Sequence, residues 1–172
     1  MDFFAVVRRR QSIRTFTAQP VEDAQLGQIL EAANRAPSAG NLQAYQIVVV
    51  KDAALTARLD AASGNQGSIA QAPVVLVFCA DPKRSAACYG SRGEELYSVQ
   101  DATIACAYAQ LAATALGLAS VWIGAVFEPE TVKEALTLDE DLWPIALLPL
   151  GYPAERPSKK PRRSLQDLVR EI

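Results

Sequence analysis

The sequence predicts an α+β fold from three observations. Apolar runs of strand length lie at Tyr45–Lys51, Val74–Ala80, Ser120–Gly124 and Trp143–Leu150. About five other stretches space their apolar residues for a helix. The two kinds do not alternate regularly, as the strands and helices of a doubly wound sheet would.

Taken in order, Asp2 caps a short helix running through Phe3, Phe4, Val6 and Val7 to the arginines. Ser12 to Phe16 alternates polar and apolar residues and reads as extended. Glu22 to Ala36 places Leu26, Ile29, Leu30 and Ala33 on one helical face. Pro37 disfavours helix at Ala36, and Gly40 opens backbone angles closed to other residues. Tyr45–Lys51, with three consecutive valines, reads as a strand buried on both faces. A short helix over Ala53–Ala62 is broken at Ser63-Gly64-Asn65. Pro73 opens the strand Val74–Ala80, and Asp81–Gly93, with Pro82 and two glycines, reads as a polar loop.

The longest helix is expected from about Glu94 to Leu116. Its second half is small or apolar on every side, and such a helix is buried on every side. One domain of this size hardly surrounds it, so part of its surface is expected to face a second copy. Gly117 stops it. Ser120–Gly124 is a strand ending at glycine, Pro129–Leu136 a short helix, and Trp143–Leu150 a last strand closed by Gly151-Tyr152-Pro153. The tail beyond Ala154, rich in Pro, Lys and Arg, forms no core of its own.

The 172 residues fit one domain with an ordinary globular balance, half hydrophobic and about a fifth charged. A net charge of −2 gives no global field for nucleic acid or anionic membrane, and no groove-reading motif occurs. No apolar run reaches membrane-spanning length, and Asp2 and the arginines interrupt any signal-like N-terminus. The three cysteines lack metal-ligand spacing; Cys79 and Cys106 fall in apolar patterns and read as buried, inert thiols. A cytoplasmic location is expected. The chain has no histidine, which excludes Ser-His-Asp and Cys-His catalysis and His-ligated metals. An enzyme built this way leaves its chemistry to a bound cofactor.

Two basic clusters stand out, Arg8-Arg9-Arg10 with Arg14 near the start and Lys159-Lys160 with Arg162-Arg163 near the end. In an extended Ser12–Phe16, Ser12 and Arg14 share a face with Arg10 beside them, a set suited to phosphate. The same arginines also offset a helix dipole, so the cluster alone decides nothing. Ser38-Ala39-Gly40 would let a flat ligand approach the backbone, with Asn41 and Gln43 offering donors and acceptors. Read by itself this is an ordinary helix-to-strand loop. Gly64-Asn65-Gln66-Gly67 is neither a dinucleotide fingerprint nor a P-loop, so no dedicated nicotinamide domain is visible.

In this order, Arg9-Arg10-Gln11-Ser12-Ile13-Arg14-Thr15-Phe16 and Ala36-Pro37-Ser38-Ala39-Gly40-Asn41-Leu42-Gln43 resemble the FMN-dependent nitroreductase family. Gly64-Asn65-Gln66 before an Ala-Pro strand, the run Leu116–Ala125, Leu148–Pro153 and Lys160-Pro161-Arg162-Arg163 are similar to its later landmarks. The resemblance covers nearly the whole chain and points to a compact member. It implies a single FMN-binding domain over residues 1–172, with a central mixed sheet of four to five strands flanked by helices. It also implies an intertwined homodimer with FMN in the subunit interface.

Carried over by position, Arg10, Gln11, Ser12 and Arg14 would meet FMN phosphate and ribityl groups, with Lys160, Arg162 and Arg163 completing the phosphate clamp. Asn65 would reach the pyrimidine edge, and Gly124 and Ala125 would present N–H groups near the flavin N5. Pro37, Ser38, Ala39, Asn41 and Gln43 would come from the other subunit. Gln11, Ser68 and Ala44-Tyr45 depart from commoner residues of the family. The implied activity takes a hydride from NADH or NADPH onto FMN and reduces a nitroaromatic or quinone-type acceptor by a ping-pong mechanism, with no catalytic side chain. The alternatives are a flavin-dependent dehydrogenase on the same scaffold or a flavin-binding module without turnover.

Overall fold

A computed structural model describes residues 1–172 apart from Ala125, Val126 and Lys159. The elements run α1 (Phe3–Arg9), α2 (Asp23–Asn34), β1 (Tyr45–Val50), α3 (Ala53–Ala62), β2 (Val74–Ala80), α4 (Pro82–Arg92), α5 (Ser98–Ala115), β3 (Ala119–Ser120), α6 (Pro129–Leu136) and β4 (Trp143–Gly151). The strands form one sheet in the order β1-β2-β4-β3. Every named pair is antiparallel, and the parallel component of the sheet is confined to an isolated bridge between Ser12 and Ser120.

The period-two rule divides the core. Val75, Val77, Cys79 and Leu147 face α3 and α6, packing with Leu59, Ile69 and Val132. Val74, Leu76, Phe78, Leu148 and Leu150 face the other way, onto Ile29 and Ala33 of α2 and Ala105 and Ala109 of α5. All seven residues of β2 are buried, and burying a side chain such as Leu76 or Phe78 contributes about 1.5–3 kcal/mol. The central pair β2 and β4 therefore reads as nearly continuous apolar sequence.

Three expectations need correction. Asp81–Gly93 is helical through α4: the Asp81 side chain accepts the Arg84 N–H at 3.0 Å, and Pro82 occupies the first turn. Pro82 starts this helix where a loop was expected, and Gly90, at φ +58°, kinks it. A π-helical turn, Gly93–Tyr97, then leads into α5. The strand expected at Ser120–Gly124 shrinks to Ala119–Ser120, because beyond it only Ile123 rejoins β4, through a bridge to Leu147. β1 is half-buried, not buried on both faces, because it lies at the sheet edge with β2 as its partner.

The long helix buries one stripe, Ala102, Ala105, Cys106, Ala109 and Ala113. Ile104, Ala107 and Leu111 are half-buried, and Tyr108 is exposed. Gly117, at φ +82°, ends it in the left-handed conformation that glycine adopts without strain.

Candidate functional site

The N-terminal arginines and the C-terminal tail meet. α1 ends at Arg10, whose backbone leaves the helix and sends residues 12–17 into an extended path. Phe16 bridges Pro153, Thr17 N–H donates to the Tyr152 carbonyl at 2.9 Å, and Ala154 N–H donates to that of Thr15 at 2.9 Å. Glu155 Oε1 accepts the backbone N–H groups of Arg14 at 2.5 Å and Thr15 at 3.1 Å. This zipper brings the tail beside α1. The half-buried Arg10 guanidinium is held below the usual arginine value, by burial first and by the Arg162 charge second.

Ion pairs among the described residues engage Arg35, Lys51, Lys83 and Lys133, and none engages Arg10, Arg14, Lys160 or Arg162. The half-buried Arg10 and the exposed Arg162 repel as like charges, and an anion seated between them would relieve the repulsion. Arg163 is held differently: its Nη2 donates to the Asp167 carbonyl at 2.8 Å.

A cavity of about 680 Å³ opens at this junction, with Arg9, Arg10, Gln11, Gly117, Glu155 and Arg156 in its wall. A second, of about 170 Å³, is lined by Arg14, Gln66, Ser68, Trp122 and Gly124. It draws together three stretches that the sequence had marked separately. Asn65 sits at the edge of one of them, at φ +53°, its N–H bonded to the Asp60 carbonyl at 2.8 Å. Gly124 is exposed, and an added Cβ there would press on Trp122 Nε1 at 3.0 Å. Ala125 lies outside the described residues.

Residues 37–43 form a separate structure and line neither cavity. Pro37 and Asn41 are exposed, and Ser38, Ala39 and Gln43 are half-buried. Ser38 Oγ accepts the Gln43 backbone N–H at 3.0 Å and its Nε2 at 3.2 Å, and Nε2 also donates to Asn41 Oδ1 at 2.9 Å. Gly40, Asn41 and Gln43 all have positive φ, at 56°, 56° and 45°. Asp101 on α5 accepts the Ala39 N–H at 2.9 Å and the Ala44 N–H at 3.4 Å. Tyr89 of α4 lies directly over Gly40, where an added Cβ would collide with its hydroxyl.

Asp60, Asp101, Glu155 and Arg156 were not anticipated from sequence. Asp101 had a signal, as a lone charge in a run of small apolar residues; Glu155 was the one acid in residues 155–166 of a basic tail. Burial pushes the Cys79 thiol up to about 12 and raises that of Cys106, so both stay protonated and inert as expected, and Cys88 is exposed.

The nitroreductase family model matches residues 7–68 and 60–152. The chain belongs to the nitroreductase family. Among its relatives, it is 39% identical over 164 residues to the FMN reductase [NAD(P)H] of Bacillus subtilis, covering 88% of this chain and 66% of that protein. It is 38% identical over 167 residues to the oxygen-insensitive NADPH nitroreductase of Salmonella typhimurium, covering 94% of this chain and 70% of that one. The solved structure of NfrA2 from B. megaterium superimposes with a TM-score of 0.90 at 32% identity, over 99% of this chain and 74% of that chain. The chain thus spans about two thirds of the first relative's length, and it keeps the nitroreductase-like fold.

Proposed function

We propose that the protein is an FMN-dependent oxidoreductase that draws reducing equivalents from NADH or NADPH and delivers them to a flat acceptor such as a nitroaromatic or quinone. The observation that carries this reading is the meeting of the N-terminal arginines with the C-terminal tail at a cavity walled by Arg9, Arg10 and Arg156, in a family whose relatives are named for FMN and NAD(P)H. The donor set fits FMN. Arg10, Ser12, Arg14, Lys160 and Arg162 offer cations and a hydroxyl for a phosphate, with Arg163 and Gln11 flanking them. Asn65 offers an amide to a pyrimidine edge, and Gly124 a backbone N–H. FMN, when bound, supplies the redox chemistry, so these side chains orient and charge-match it without acting as acid or base.

Residues 37–43 line neither cavity of the single chain, which favours a homodimer in which Pro37, Ser38, Ala39, Asn41 and Gln43 serve the partner's cofactor. Phe3, Phe4, Leu165 and Leu168 are 64%, 68%, 75% and 57% exposed, apolar surface that a second copy would cover. Residues 1–172 act in this reading as one FMN-binding domain. Among the described residues no helix is long and apolar enough to cross a membrane.

The test is the visible spectrum of the purified protein before and after anaerobic NADH or NADPH, followed by turnover with an added quinone. Flavin bleaching by either nucleotide and quinone-dependent nucleotide oxidation are expected. A colourless protein that takes up no added FMN overturns the reading.

A further inference from the structure

We infer that two buried aspartates, Asp101 and Asp60, are positioning residues that hold, through backbone N–H groups, the two loops presenting Asn41 and Asn65 to the cofactor. The inference rests on the reading above that these loops bind FMN.

Asp101 is 2% exposed. Its two oxygens accept the N–H groups of Ala39 and Ala44, at 2.9 and 3.4 Å, and so bracket the loop at both ends. Between these anchors lie the left-handed residues Gly40, Asn41 and Gln43. Left-handed backbone at non-glycine residues is costly and persists where the surroundings over-determine it. Gly40 and Asn41 are exposed and Leu42 and Gln43 half-buried, so apolar packing cannot be what fixes them. The carboxylate anchors both ends of the loop, beside the loop's own Ser38 and Gln43 bonds, the Arg84 Nε bond to the Leu42 carbonyl at 2.6 Å and Tyr89 over Gly40.

Asp60 on α3, 7% exposed, holds the second loop with one backbone and one side-chain acceptor. Its carbonyl accepts the Asn65 N–H at 2.8 Å and its Oδ2 the Gly67 N–H at 3.2 Å. Gly64, Asn65 and Gly67 again have positive φ, at 72°, 53° and 71°. Among the described residues Asp60 Oδ1 has no hydrogen-bond partner. A buried carboxylate with one oxygen unsatisfied is a poor device for stability alone. In both cases an asparagine in a strained conformation inherits the rigidity of a packed helix, so its side chain is oriented before any ligand arrives.

The experiment compares the full-length Asp101→Asn and Asp60→Ala variants with the wild type, and with Asp23→Asn at the surface pair with Lys51 as a control. At Asp101 an asparagine oxygen still accepts one bond, but its amide faces the second N–H and loses the other; at Asp60, whose carboxylate accepts only the Gly67 N–H, alanine removes that bond. FMN dissociation constants are expected to rise about tenfold to a hundredfold in both variants, and the spectrum of bound flavin at saturation to shift, with Asp23→Asn unchanged. A lower melting temperature of the apoprotein with unchanged FMN affinity and spectrum would mean a structural role only and overturns the inference. If either variant fails to fold, hydrogen exchange of the wild-type apoprotein decides. Slow exchange at Ala39, Ala44, Asn65 and Gly67 is expected, and exchange at the rate of exposed amides overturns it. A wild type that binds no FMN overturns the functional reading and this inference together, whereas equal affinities overturn this inference alone.

Discussion

Glu155 Oε1 accepts the backbone N–H of Arg14 at 2.5 Å, joining residues 141 positions apart in the chain. With the bond to Thr15 it fixes the course of the tail past the N-terminal arginines. Glu155→Ala should weaken FMN binding through misplacement of Lys160 and Arg162, by about 1 kcal/mol for each bond lost. Glu155→Gln, which keeps an acceptor oxygen, should lose less. Titration of the apoproteins with FMN ranks the three; equal affinities would separate the tail's course from the site.

Replacing both Arg10 and Arg162 by Ala should strip the flavin. Each charge-assisted partner of a phosphate is worth about 1.5–3 kcal/mol, so affinity should fall by about two to four powers of ten. The ratio of flavin to protein absorbance after purification reads this directly. Stoichiometric flavin in the double variant would refute the clamp.

How much of this was legible beforehand differs by element. α3, β2 and α6 could be read with their boundaries, because Ser63-Gly64-Asn65 breaks the first and Pro73 and Pro129 mark the starts of the others. α4 could not, because Pro82 and Gly90 signal turns in sequence. In space the first is a favourable first-turn residue and the second a kink within a continuing helix. The basic clusters and the asparagine loops could be named from the residues, but their meeting and separation only through the family resemblance, because these depend on pairing between residues 12–17 and 152–155. Asp60 escaped notice because its partners are backbone amides, which leave no residue pattern, and Asp101 showed only as a lone charge among small apolar residues.

Gly40→Ala should destabilise the protein. The left-handed conformation costs a non-glycine residue about 1–2 kcal/mol, and the new Cβ must displace the Tyr89 hydroxyl. Pairing it with Tyr89→Ala should recover the steric part and leave the conformational part. A double-mutant cycle of melting temperatures checks this; strict additivity would show that Tyr89 does not press on the loop.

Native protein at pH 8 should expose one reactive thiol, Cys88, to an alkylating agent, and denatured protein three. Cys79, with its thiol raised to about 12, is protonated far above that pH while folded and returns to an ordinary value on unfolding. Mass spectrometry of the labelled peptides decides; rapid native labelling of Cys79 would contradict its burial.

In the proposed homodimer, Phe4→Glu should shift the equilibrium to monomer in sedimentation velocity, with flavin lost in parallel. Phe4 is 68% exposed in the single chain, and a charge there would have to be desolvated in an interface. A dimer that persists with full flavin would place the contact elsewhere.

The zipper between residues 12–17 and 152–155 also sets an order of events. Arg10 and Ser12 leave the ribosome long before Glu155 and Arg162, and until the later residues arrive the tail's anchor and its cations are missing. The pairing closes a loop that encloses the whole sheet, a slow kind of contact to form. The proposed phosphate grip is therefore among the last parts of the molecule to be completed, and a nascent chain halted before Gly151 would have Arg10 and Arg14 but not the tail cations that close the grip.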